Sequence, residues 1–239
     1  MAIAIDATAG NGSTNAAVSS FIRPITVGAG LSNGILCAMS ACRGAALAGD
    51  LVVSSISFAG TNLTKALAQP GTDLVATRLN CEIWYLLNPP AGLGTLTFNT
   101  TGVVTFATGF GASFSGVDPT VPIAATNGSS RDAATDPSPV LVPFSGLPAN
   151  VFLVNSIYQK TGGAITPGNS ATAIGTAGPN SDGDRSGAAY QGPLTTNGTT
   201  SWTYVTDDAW LEAAVALNPF VAASGAIPVS WRGLRGVGY

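Results

Sequence analysis

The stretch LNCEIWYLLNPPAGLGTLTF, residues 79–98, decides the fold class of this chain. Residues 81–87 alternate between two sets of side chains, and successive side chains of a β-strand point to opposite faces. The Asn-Pro-Pro sequence at 88–90 ends this strand, because proline has no N–H for a β-ladder. A second alternating run, residues 95–98, follows. The stretch therefore predicts two strands joined by a turn.

The same period of two recurs along the chain, whereas sustained helical periodicity does not. We interpret as further strands the alternating runs 51–58, 103–106, 112–114, 151–158, 201–205 and 211–217. Lys and Glu, the usual residues of exposed helix faces, occur only twice each. Many short strands with turn residues between them are typical of a sandwich or barrel. We predict an all-β fold, an antiparallel β-sandwich or barrel.

The domain organisation that we predict is one β-sandwich domain over residues 21–220, with an N-terminal arm (1–20) and a C-terminal arm (221–239). Residues 124–137 and 161–192 are rich in Gly, Ser and Asn and lack strand patterning, so we expect long loops there. We find no internal repeat in the sequence.

Composition excludes several classes of function. Of the 239 residues, 46% are hydrophobic, enough for a sizeable core, but only 9% are charged, against about 25% in an average protein. The absence of His removes Ser–His–Asp and Cys–His catalysis and histidine metal sites. A net charge of −3 with nine Lys and Arg argues against nucleic-acid binding. We predict no enzymatic activity, no catalytic residues, no cofactor and no metal.

Export, membrane and cysteine patterns are equally sparse. The first 20 residues lack a basic region followed by an apolar run, and the least polar stretch, 35–60, is interrupted by Arg43 and Asp50. We therefore expect neither a signal peptide nor a membrane span. The three cysteines match no zinc spacing, so we expect small buried hydrophobes at Cys37, Cys42 and Cys81.

Two sets of acidic residues need separate interpretation. Asn180, Asp182 and Asp184 place oxygen ligands at alternate positions, as Ca²⁺ loops do, but Arg185 follows and no suitable Glu does. We prefer a plain hydrophilic loop and keep a metal site as the alternative. The only glutamates, Glu82 and Glu212, lie in predicted strands, and we expect both to face outward rather than to form a glycosidase pair.

Aromatic residues give two further candidates. Our first interpretation is that four aromatic residues fill the core, and our second is that they form a stacking platform for a glycan. These residues are Trp84, Trp202, Tyr204 and Trp210. The C-terminal arm combines residue types that anchor interfaces, so we predict contact with a neighbouring subunit through Trp231, Arg232, Arg235 and Tyr239. A final strand or a disordered end is the alternative for this arm.

The run 79–98, followed by GASFSGVDPTVPI (111–123), resembles a β-sandwich domain of bacteriophage virion structural proteins. Upstream, VSSISFAGTNLTKALA (53–68) resembles the preceding hairpin of that domain, and downstream, WLEAAVALNPF (210–220) resembles its closing strand. The resemblance covers residues 20–220. It implies an antiparallel β-sandwich of jelly-roll-like or Ig-like strand order that serves as a structural, decoration or fibre module. It brings no catalytic residues.

Together, composition and resemblance lead us to expect a non-enzymatic capsid decoration or cement protein of a bacteriophage virion. We expect it to assemble in the host cytoplasm, to lie on the capsid exterior and to bind the major capsid protein or other virion subunits. A homo-oligomer such as a trimer fits this role, and we expect binding to neither nucleic acid nor membrane. The alternative is a glycan-binding tail or fibre module that recognises a host surface.

Overall fold

This computed structural model describes residues 1–10, 13–14, 18–44, 53–72, 77–131, 138–160, 163–205 and 209–222. These residues contain seventeen β-strands and no α-helix. All pairings between strands are antiparallel, which confirms the predicted all-β sandwich class.

The first half of the chain, as we use the term, contains β1 (Ala4–Ala9), β2 (Ser13–Thr14), β3 (Val18–Val27), β4 (Ile35–Gly44), β5 (Val53–Phe58), β6 (Thr61–Asn62), β7 (Thr64–Thr72), β8 (Arg78–Leu87) and β9 (Gly92–Ser115). The second half contains β10 (Ile123–Arg131), β11 (Val140–Phe144), β12 (Val151–Gln159), β13 (Thr166–Pro167), β14 (Thr172–Ala177), β15 (Arg185–Leu194), β16 (Gly198–Thr203) and β17 (Trp210–Leu217).

Pairing in the first half is nested. β1 pairs with the later part of β9, β3 with the earlier part of β9, β4 with β8, and β5 with β6, which leads into β7. An array in which the first strand pairs with the last, the second with the one before it, and so on inward is a jelly roll. The strand order that the sequence left open is therefore jelly-roll-like.

The long strand β9 belongs to two layers. Its residues 92–100 pair with β3 and β5, and its residues 104–115 pair with β1 and β4. The nine-stranded sheet thus folds over on itself at β9. The core between its two layers includes Phe21 and Phe98, whose rings stack with centroids 4.7 Å apart.

The second half repeats this arrangement. β10 pairs with β17, β11 with β16 and β12 with β15, and β13 and β14 follow each other as the central pair of strands. Its sheets have the orders β10-β17-β12-β15-β14 and β11-β16-β13. The halves share this order of pairing rather than recognisable sequence, so the repeat is structural and leaves no repeat in the sequence.

Each half therefore has an inner sheet, which faces the other half, and an outer sheet. The inner sheets consist of β1, β9 (104–115), β4, β8 and β7, and of β10, β17, β12, β15 and β14. The outer sheets consist of β3, β9 (92–100) and β5, and of β11, β16 and β13.

The two inner sheets pack face to face around the largest hydrophobic core. β7 lies against β10, β8 against β17 and β12, β4 against β12, and β1 against β14. Equivalent strands thus meet in reversed order about an axis between β4 and β12, as in an isologous dimer. The chain is a pseudo-two-fold pair of jelly rolls.

Two predicted loops are corrected by this architecture. Residues 124–137 contain most of β10, and residues 161–192 contain β14 and most of β15. β10 is an edge strand held by backbone pairing to β17, so it needs few apolar side chains. In β15, a Cβ on Gly187 would lie 2.6 Å from the Trp202 ring, so small residues there leave room for a large neighbour.

Part of the segment assigned to an N-terminal arm lies in the fold of this chain. β1 pairs with β9, with Ile5 opposite Phe114. The amino group of Met1 donates to the carbonyl of Phe220, 2.8 Å away.

Candidate functional site

The loop at 180–184 is a polar link between the halves. Arg43 Nη1 lies 2.8 Å from Asp182 Oδ2 and 3.1 Å from Asp184 Oδ2. Asp184 is fully buried, and its Oδ1 accepts a hydrogen bond of 2.6 Å from the Tyr158 hydroxyl. Asn180 donates to Asp184 Oδ2 over 2.7 Å. The loop is therefore not a plain hydrophilic loop, because Arg43 already supplies the cation between its carboxylates.

Electrostatics of this link favour the charged state of Arg43. Burial alone would lower its pKa, but the charge of Asp184 and hydrogen bonds to both aspartates outweigh burial and raise that pKa above its ordinary value. Across the described ranges, no three His, Cys, Asp or Glu side chains lie together as a metal site would require. The arrangement joins β4 to the segment before β15.

Glu82 is buried in the first half, contrary to our expectation that it faces outward. Its carboxylate accepts hydrogen bonds from the Val53 N–H (2.9 Å), the Asn80 amide (2.6 Å) and the Trp84 indole (2.7 Å). Lys65 Nζ lies 3.0 Å from it. The side chain points between the inner and outer sheets, where Trp84 also packs, and this set of donors stabilises its charge there.

Glu212 is also fully buried, so the expectation of an outward-facing side chain was wrong again. Neither of its carboxylate oxygens has a hydrogen-bond partner. Burial raises the pKa of Glu212 from 4.5 to about 8, and the nearby Thr200 hydroxyl offsets this only in part. That hydroxyl donates instead to the Val142 carbonyl over 3.4 Å. The two glutamates lie in different halves and cannot act as a catalytic pair.

The remaining described carboxylates also have structural roles. Asp6 accepts from the Gly28 N–H (2.9 Å) and the Ser113 hydroxyl (2.6 Å). Asp118 accepts from the hydroxyl and N–H of Thr120, and these bonds lower its pKa. Every Asp and Glu in the ranges described is thus bonded within the fold or buried.

The four aromatic candidates fill the interior, as our first interpretation predicted. The exposed fractions are 7% for Trp84, 0% for Trp202, 7% for Tyr204 and 6% for Trp210. A stacking platform for a sugar ring needs an exposed aromatic face, so these residues provide none.

The three cysteines are buried and unpaired, which confirms their interpretation as small hydrophobes. Burial raises the pKa of the Cys37 thiol to about 12, and it also raises the pKa values of Cys42 and Cys81. They are inert thiols, since reactivity requires the thiolate.

The described surface has open grooves, and two of them have the volume of a small-ligand site. One, of about 510 Å³, lies between β1 and β3 and contains Arg23 as its charged residue. The other, of about 450 Å³, is lined by side chains that include Asn169, Gln191 and Asn197. Neither groove has a carboxylate, a thiol or a general base among its lining residues, so neither supports acid–base chemistry.

Four of the predicted site residues lie outside the described part of the chain. These are the predicted interface residues Trp231, Arg232, Arg235 and Tyr239. Conversely, the sequence analysis did not identify Arg43 as the residue that links the two halves. A single cation in the apolar run ILCAMSACRG is a signal for a buried partner.

The described ranges contain no helix of the length and apolarity that crossing a membrane requires. Comparison of the chain with protein-family models, with curated proteins and with solved structures finds no match.

Proposed function

We propose that this chain is a non-enzymatic structural protein of a bacteriophage virion that decorates the capsid exterior and bridges neighbouring subunits. The observation that carries this proposal is that every described carboxylate except that of Glu212 is hydrogen-bonded or ion-paired within the fold. A protein whose polar groups are committed in this way acts through its surfaces.

The outer sheets support a role in contact. On the first, Ile22 (56% exposed) and Pro24 lie opposite Thr97 and Thr95 of β9. On the second, Leu141 is 51% exposed and is followed at the same spacing by Pro143. The charged residue in the described parts of these strands is Arg23, which lines the groove between β1 and β3. The other outward positions carry aliphatic, proline, hydroxyl and amide side chains, so covering such a face desolvates little charge.

Fold-level analogy adds support of a weaker kind. Jelly rolls are frequent in viral capsid proteins and in lectins, although a fold alone does not specify a function. The proposed partners are the major capsid protein or other virion subunits, with assembly in the host cytoplasm and a homo-oligomer such as a trimer on the particle.

The test adds purified protein to capsid particles assembled without it and measures co-sedimentation and survival of the particles on heating. We expect the full chain to bind and to protect. Deletion of residues 221–239 should abolish attachment while circular dichroism remains unchanged, because the arm with Trp231 and Arg232 is the proposed anchor. Val121→Ser, an exposed position outside both outer sheets, is the matched control and should bind normally. Absence of binding by the full chain would overturn the proposal.

The groove with Asn169, Gln191 and Asn197 favours glycan binding by a tail or fibre module as a second candidate, because amide groups are common partners of sugar hydroxyls. Binding of the protein to a glycan array that is lost in Gln191→Leu would support it. Binding that survives this substitution, or no binding, would count against it.

A further inference from the structure

The two glutamates of this chain provide an internal comparison. Both have 0% exposed side chains, and each lies between the inner and outer sheet of its own half. Glu82 has three hydrogen-bond donors and an ammonium group around its carboxylate, whereas Glu212 has no hydrogen bond to either oxygen. The buried carboxylate is therefore hydrogen-bonded in the first half and has no hydrogen bond in the second half.

The Thr200 hydroxyl of β16 lies near Glu212 and lowers its pKa in part, but it donates to the Val142 carbonyl and does not take over this role. On the same face of β17, the residues next to Glu212 are Trp210 and Ala214. The residues opposite Glu212 are Ser129 on β10 and Ile157 on β12. Asn155, diagonally across on β12, holds the Trp202 indole through its Oδ1 at 3.3 Å. Its Nδ2 reaches no acceptor, so it does not bind Glu212.

Charged groups on the elements around Glu212 are few. Arg131 is the charged residue on β10 and Arg185 the one on β15, and neither is among the causes that shift the titration of Glu212. Cys81, on β8 across the inner sheet, remains a protonated thiol. The described strands of the outer sheet, β11, β13 and β16, contribute no charged residue.

We propose that Glu212 is a pH-sensitive switch in the second half, whose loss of a proton to solvent separates the outer sheet β11-β16-β13 from the inner sheet. In the protonated form the carboxyl is neutral and is tolerated between the sheets. The ionised form requires water or donors that this interior lacks, because an unpaired charge in an apolar medium is strongly disfavoured. The raised pKa of about 8 places this event just above neutral pH.

Separation is confined to the second half. In the first half, hydrogen-bond donors and the Lys65 ammonium surround the carboxylate of Glu82. The core between the inner sheets is formed by other side chains, such as Val154 and Val215. The outer sheet of the second half has only three strands, so it is the smaller body and the one that moves.

The test follows the full-length protein from pH 6 to pH 9.5 by hydrogen exchange with mass spectrometry, corrected for the intrinsic pH dependence of exchange. We expect amides of β11 and β16 to exchange at least tenfold faster at pH 9 than at pH 7, reversibly and with a midpoint near pH 8. Tryptophan fluorescence should change over the same range, because Trp202 and Trp210 lie in the affected core.

Two variants decide the assignment. Glu212→Gln should abolish the alkaline transition, and Glu82→Gln, the matched control in the other half, should retain it. Should Glu212→Gln not fold, a ¹³C NMR titration of the wild-type carboxyl provides the same information. An unchanged transition in Glu212→Gln, the absence of a transition in the wild type, or an ordinary pKa for Glu212 would each overturn the proposal.

Discussion

Arg43 and Asp184 form an ion pair of 3.1 Å that joins the two jelly rolls. The Arg43 side chain is 15% exposed and that of Asp184 is fully buried. Tyr158 and Asn180 also donate to this carboxylate, so both of its oxygens are hydrogen-bonded on the buried side of the link. This pair fixes the position of the second half on the first at a point where the surrounding core is apolar.

Breaking this pair from its buried side should destabilise the protein strongly. We expect Asp184→Ala to lower the free energy of unfolding by about 3 kcal/mol, because it removes the hydrogen bond from the Tyr158 hydroxyl and leaves Arg43 with one carboxylate. Urea denaturation measures this loss. Asp182→Ala is the matched control, since Asp182 is 57% exposed and contacts the same guanidinium. It should cost less than about 1 kcal/mol, and equal losses for the two variants would contradict this assignment.

Removing the carboxylate of Glu82 should be among the most damaging changes in the first half. Glu82→Ala leaves the Val53 N–H, the Asn80 amide and the Trp84 indole without their acceptor, at about 1–3 kcal/mol for each buried group. Lys65→Met removes only the partly exposed partner and should cost about 1 kcal/mol or less. Chemical denaturation of both variants distinguishes the two roles, and a mild effect of Glu82→Ala would refute the first.

The stability of the protein should fall as pH rises because of Glu212. Its pKa in the folded state, about 8, is above its ordinary value of 4.5, so its contribution is fully present below about pH 4.5 and is lost by about pH 8. The loss is on the order of several kcal/mol, at 1.36 kcal/mol per pH unit. Thermal denaturation across this range should show a flatter profile for Glu212→Gln, and parallel profiles would argue against the assignment.

Packing over β15 should depend on Gly187. A Cβ at this position would lie 2.6 Å from the Trp202 ring, so Gly187→Ala should destabilise by about 1–3 kcal/mol through overpacking. Gly102→Ala is the control, because nothing lies within 4 Å of its added Cβ. Unfolding curves for the two variants that coincide would mean that Trp202 has room to move.

The three cysteine thiols should be unreactive in the native protein. We expect no reaction of Cys37, Cys42 or Cys81 with a thiol reagent under native conditions and reaction of all three after denaturation, because burial raises each pKa. Absorbance of the released reagent group counts the accessible thiols. Labelling of a native cysteine at the rate of a free thiol would show that its core opens.

Local patterns were sufficient to predict strands, as the stretch that contains β8 shows. Alternation correctly placed Ile83 and Trp84 on opposite faces. It did not indicate that both faces are covered, because the number of layers is set by how the halves pack. For the same reason the sequence placed Glu82 and Glu212 on strands but predicted the wrong environment for both.

Other features depend on pairing that local sequence does not encode. β10 contains Asn127, Gly128 and Ser129 and has the composition of a loop, yet backbone hydrogen bonds to β17 make it a strand. The repeat of the jelly roll is likewise invisible in local sequence, since equivalent strands share their partners rather than their residues. The interior of the second half could not be predicted without knowing that β11 and β16 cover β17.

The nested order of strands has a consequence for synthesis on the ribosome. The first half can close only after Ser115 has been made, because β1 waits for the end of β9. Its inner sheet then exposes an apolar face until the second half is complete, about 100 residues or roughly 5–20 s later at the usual pace of translation. A nascent chain of this protein therefore passes through a stage at which a chaperone, or another nascent chain, competes for the surface that its own second half will cover.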